Sequence, residues 1–135
     1  SYHARNAMLD YDAYYKAVNR QVNDLFYYYR EQAALKARQY QRALDDIVKA
    51  IELSPKDLTY RAEHAVVNLR VGRYEESMKI LNEILKDEPK YGEAYRLLGL
   101  CQIQLKKTDE ACGNFNKAKE LGDPNVDELI KKYCK

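Results

Sequence analysis

Shifted by 34 residues, this chain falls on itself three times without a gap. Tyr40, Tyr74 and Thr108 share one phase, followed in step by Ala43, Ser77 and Ala111, then Ile47, Leu81 and Phe115, then Ala50, Ile84 and Ala118. Pro55 and Pro89 keep the same spacing, and in the third unit the proline slips by one residue to Pro124. A period of this length marks supersecondary units that stack on their neighbours. Each unit reads as two amphipathic helices joined by a short turn, and neither helix can bury its apolar stripe without the next unit beside it. A stack of this kind presents a surface.

The residues in these phases resemble the tetratricopeptide repeat. Residues 24–57 place Tyr27 in the first turn of a first helix, Tyr40, Ala43, Ile47 and Ala50 on a second, and Pro55 at the close. Residues 58–91 repeat the plan with Ala65, Gly72, Tyr74, Leu81 and Pro89, and residues 92–125 with Tyr95, Leu98, Gly99, Ala111, Phe115 and Ala118. The resemblance implies an all-α fold of the tetratricopeptide class, a right-handed alpha-alpha superhelix without strands. It would comprise three helix-turn-helix repeats, a preceding helix and a C-terminal capping helix.

Physical chemistry supports the same plan. Small residues recur where helix axes must approach, at Ala43, Ala50, Ala65, Ser77, Gly99, Ala111 and Ala118, because the distance between packed helices follows side-chain bulk at the contact. Ile47, Leu81 and Phe115 each lie four residues after a small one, on the same helical face. Pro55 and Pro89 follow the second helices, where a missing N–H stops propagation. Gly72 supplies a turn between helices; the equivalent positions hold Arg38 and Lys106 and leave the geometry of those two turns open.

Both ends depart from the repeat. Ala7, Met8, Tyr11, Tyr14, Tyr15 and Val18 recur at intervals of three and four, which predicts one helix with His3 in a tail before it. This helix has the pattern of a second repeat helix, so residues 1–23 are read as part of a truncated upstream repeat. Asp123-Pro124 opens a last helix over residues 126–135, with Val126, Leu129, Ile130 and Tyr133 inward and Asp127, Glu128, Lys131 and Lys132 outward. A polar outer face suits a terminal cap, and the C-terminus is read as the end of the array. The whole chain, 1–135, is expected to be a single domain.

Charge narrows the function. Charged residues make up 33% of the chain, yet the two signs nearly cancel to +2, which describes solvated helix faces and gives no basic field to gather nucleic acid. No run approaches the length of about 18 apolar residues needed to insert into a membrane. Gly-rich phosphate loops, nucleophile elbows and HExxH are absent, so neither catalysis nor a cofactor is expected.

The remaining reactive residues have structural readings. Cys101, Cys112 and Cys134 form no CxxC pair, and an odd count argues against a disulfide scaffold; they are read as buried thiols, with no metal site. His64 falls on the packing side of its helix, in phase with Arg30 and Leu98. Asp45-Asp46 and Glu75-Glu76 are read as acids favouring helix N-termini. Glu31 stands where its counterparts are Ala65 and Gly99, and must reach solvent or find a partner such as Arg30, Arg42 or His64.

The family resemblance places ligands on one face of the first helices. Carried over by phase, that face holds Tyr28, Tyr29, Gln32 and Lys36, then Glu63, Val66 and Arg70, then Arg96, Leu100 and Ile103. The function it implies is a non-catalytic scaffold binding a protein or peptide segment; the alternative is a structural piece of a longer array serving assembly. Some relatives hold a chaperone's C-terminal carboxylate with lysines, asparagines and an arginine. The corresponding phases here carry Tyr28, Gln32, Glu63, Glu93 and Leu97, and two acids facing a carboxylate would repel it. The expectation is therefore a partner other than a chaperone C-terminal tail.

Overall fold

The structure, a computed structural model, describes residues 2–17 and 23–135. The described residues form eight α-helices and no strand: α1 (Tyr2–Ala17), α2 (Asp24–Lys36), α3 (Tyr40–Leu53), α4 (Leu58–Arg70), α5 (Tyr74–Asp87), α6 (Gly92–Gln104), α7 (Thr108–Glu120) and α8 (Asp127–Tyr133). They fall into two compact units, residues 1–67 and 68–135, with the boundary inside α4.

Local chemistry sets the helix limits. Asn23 Oδ1 accepts from the Phe26 N–H at 3.2 Å and starts α2; Asp57 Oδ1 accepts from the Tyr60 N–H at 3.1 Å and starts α4. The second helices α3 and α5 end two residues before Pro55 and Pro89. The turn geometry left open by the sequence is the same in all three repeats. Arg38 (φ 61), Gly72 (φ 87) and Lys106 (φ 61) are all left-handed. The N–H of the residue after each returns to the carbonyl five positions earlier: Gln39 to Ala34 at 2.9 Å, Arg73 to Asn68 at 2.9 Å and Lys107 to Gln102 at 2.8 Å. This is the Schellman closure, made without glycine in two of the three turns. Gly122 (φ 84) repeats it after α7, where Asp123 N–H donates to Ala118 at 3.0 Å.

In the first unit α1 packs on α2 and α2 on α3. Phe26, Tyr27, Ala34, Leu35, Ala43, Ile47 and Ala50 make the core with Tyr60 and Val67 of α4, and Met8 enters from α1. α1 starts at Tyr2, earlier than the sequence suggested, so His3 lies in a helix and not in a tail; Val18 lies outside the described residues. In the second unit α5 packs on α6, α6 on α7 and α8 on α7. Ala111, Phe115, Ala118 and Val126 form its buried cluster, with Leu129, Ile130 and Tyr133 of α8 against it. All nine residues of the three aligned phases, from Ala43 to Ala118, are fully buried.

Three charge and thiol assignments need correction. Cys112 and Cys134 are joined in a disulfide (Cα–Cα 5.7 Å), and only Cys101 is a buried free thiol. An odd count does not prevent two of three cysteines from pairing once α8 folds back on α7. Asp46 lies beyond the first turn of α3 and is buried against Arg30, so it does not serve the helix terminus. Glu31 reaches neither solvent nor Arg30 or Arg42, because Arg30 bonds Asp46 and Arg42 bonds Asp12.

Candidate functional site

In the first unit the face of α2 expected to meet a ligand is aromatic and then cationic. Tyr28 is half-buried, its ring 5.1 Å from Tyr60 and 5.5 Å from Tyr29, and its hydroxyl hydrogen-bonds with Gln32. Burial, and then the nearby Glu63 and Glu31 carboxyls, push the Tyr28 phenol above its ordinary range. Tyr29 is 49% exposed. One turn apart, Tyr29, Gln32 and Lys36 line a hollow of about 310 Å³ whose opposite wall is His3, Ala4, Ala7 and Tyr11 of α1. Its lining thus combines a small apolar floor, two phenols, an amide and an exposed ammonium.

Arg30 anchors this arrangement. Its guanidinium donates to both Asp46 oxygens, at 2.7 and 2.9 Å, and lies 5.1 Å from the ring centres of Tyr15 and Phe26. Asp12 of α1 sits 3.8 Å from Arg30 and also accepts from Arg42. One planar cation therefore ties α1, α2 and α3 together through a two-pronged bond and aromatic faces. At the other end of α2, Asp24 accepts from Tyr60 at 2.6 Å and Ser54 at 3.1 Å. The Tyr60 bond, chiefly, holds the Asp24 carboxyl below its usual range. Sequence reading missed both networks; the only sign was Arg30 in the phase of Leu98, a charge where a packed residue was due.

Glu31 is 0% exposed, and no donor meets either of its oxygens. Burial first, then the charge of the nearby Glu63 carboxylate, push its pKa up to about 9. At neutral pH the buried Glu31 carboxyl therefore keeps its proton. Glu63 is half-buried, and Val66 packs on the first unit's core.

In the second unit Arg70 is exposed at the end of α4. Arg96 points its guanidinium at Asp123, with Nε at 3.1 and 3.2 Å from the two oxygens, and lies 3.6 Å from Glu93. Glu93 also accepts from the Tyr91 hydroxyl at 2.9 Å. Leu100 and Ile103 are half-buried against the Phe115 cluster. Among the described residues no group of His, Cys, Asp and Glu could hold a metal ion, and no helix is long and apolar enough to cross a membrane.

Helix pairs with these turns and phases define a class, the helical repeat proteins. The tetratricopeptide repeat family's sequence profile matches residues 34–97. The chain is 30% identical over 99 residues to the small glutamine-rich tetratricopeptide repeat-containing protein 2 of Mycosarcoma maydis, covering 73% of this chain and 28% of that one. It is 32% identical over 101 residues to heat shock protein STI1 of Saccharomyces cerevisiae, covering 72% and 17%. Among solved structures it is similar to the first tetratricopeptide domain of Spaghetti (RPAP3) bound to the HSP90 peptide SRMEEVD. That match has a TM-score of 0.70 and 19% identity, over 82% of this chain and 90% of that one. The chain belongs to the tetratricopeptide repeat family and has its alpha-alpha superhelix fold class. It spans less than a third of the length of the two curated relatives.

These relatives overturn the exclusion of chaperone tails, since a domain of the same fold is solved with such a peptide bound. The physical error lay in treating Glu63 and Glu93 as bare charges facing a ligand. One is half-buried beside the Glu31 carboxyl, and the other is held by Tyr91 and Arg96.

Proposed function

We propose that this chain is a non-catalytic interaction module, and that its first unit takes an acidic C-terminal peptide of the SRMEEVD kind. The observation that carries this reading is the hollow beside α2, whose lining brings Lys36, Gln32 and Tyr29 together with Ala4, Ala7 and Ala33. A carboxylate is the group that an ammonium and neighbouring donors recognise, and a short aliphatic side chain suits a floor of alanines. Tyr28 extends the face with apolar area and a polar tip, the pairing common in binding hot spots. In the first unit the same proposal includes Glu63 and Val66; Arg70, Arg96, Leu100 and Ile103 are proposed as binding residues of the second unit by itself.

Fluorescence anisotropy with labelled SRMEEVD tests it. Lys36→Ala and Tyr29→Ala are each expected to weaken binding roughly tenfold, or about 1.4 kcal/mol, with affinity falling as salt rises because an exposed ion pair is screened. Binding that survives both substitutions unchanged would move the site away from α2. No binding at millimolar peptide would sink the acidic-tail reading.

A further inference from the structure

We infer that the Cys112–Cys134 disulfide is a thiol–disulfide modification site whose redox state decides whether α8 stays seated on α7. α8 has seven residues, no side-chain cap at its N-terminus and no fully buried residue of its own. A helix so short does not persist without tertiary support. Its support comes from two ends. Val126, just before α8, is fully buried beside Phe115, while Leu129, Ile130 and Tyr133 only half-bury against the same cluster. At the far end, Cys134, the residue directly after α8, is bonded to Cys112 in the second turn of α7.

Both bonded cysteines are half-buried, so an attacking thiol can approach the bond; Cys101 is 0% exposed and carries no such chemistry in the folded chain. The reaction partner is a small dithiol. One of its thiolates attacks a cysteine sulfur, the S–S bond breaks and a mixed disulfide forms while the released cysteine takes up a proton. The second dithiol sulfur then displaces the other cysteine. Two electrons and two protons end on Cys112 and Cys134, and the reductant leaves as its own disulfide. The freed α8 retains only its half-buried contacts, and its departure bares Phe115, Ala111 and Ala118. Oxidising surroundings lock the cap; surroundings that keep thiols reduced loosen it.

Hydrogen exchange read by mass spectrometry on the full chain, oxidised or treated with dithiothreitol, tests the inference, with alkylation counting the freed thiols. Reduction is expected to expose two alkylatable cysteines and to speed exchange in residues 126–134 at least tenfold. Segments of α6 around Cys101 should stay as slow as before. Cys134→Ser should reproduce the fast exchange without any reductant. The inference is overturned if the bond resists dithiothreitol in the folded chain, or if residues 126–134 exchange equally slowly in Cys134→Ser. It also falls if every segment of residues 68–135 accelerates together, for then the bond staples the whole unit and not its last helix.

Discussion

Glu31 shows how one residue can reverse the rule its position obeys elsewhere. Its counterparts are Ala65 and Gly99, and in their place it buries a carboxyl that meets no donor, only the Glu63 carboxyl. Its pKa, raised from 4.5 to about 9, makes the folded state bind a proton that the unfolded chain releases. Stability from this proton is complete below the unfolded value and is lost as pH rises through the folded one. Urea midpoints should therefore fall between about pH 5 and pH 9 in the wild type. Glu31→Gln carries permanently the donor that Glu31 supplies only when protonated, so its midpoint should change less over that range and exceed the wild type's at pH 9. Parallel pH profiles for the two proteins would refute the proton held on Glu31.

At the scale of the element, the three repeat turns adopt one geometry from three different residues. The Schellman closure needs a left-handed residue, and for side chains other than glycine that conformation costs about 1 to 2 kcal/mol. Gly72 meets the requirement without strain; Arg38 and Lys106 do not. Arg38→Gly and Lys106→Gly should each stabilise the protein, by roughly 0.5 to 1 kcal/mol after the added flexibility of the unfolded chain is set against the relief. Thermal or urea unfolding reads this directly, and a loss of stability in both variants would mean that their side chains hold contacts worth more than the strain. The position of these turns was legible at 34-residue spacing. Their conformation was not, because Arg and Lys give no local sign of a left-handed backbone.

For the whole molecule the test is what α8 covers. Val126, Leu129, Ile130 and Tyr133 cover the Phe115 cluster, while Asp127, Glu128, Lys131 and Lys132 face water. Removing residues 126–135 keeps Asp123 and its bond to Arg96 but leaves an apolar face wet. The shortened chain should melt at lower temperature and associate on size-exclusion chromatography; unchanged melting and a single monomer peak would show that α8 is dispensable.

The sequence by itself determined the repeat, the helix pairs and the residues at their centre. Those properties follow from local periodicity, and the nine aligned residues are all fully buried. It also marked Gly99 as a place of close helix approach, and in the fold a Cβ there would lie 2.3 Å from the Phe115 ring. Tertiary structure alone decided the pairings: Arg30 with Asp46, Glu31 with Glu63, Arg96 with Asp123, and Cys112 with Cys134. Each joins groups well separated in sequence, and several charges or thiols of equal local merit competed for every partner. Sequence spacing ranks none of them. Which pair forms depends on the distance and direction of side chains after the helices have packed, and the desolvation of a buried charge then makes that choice strict.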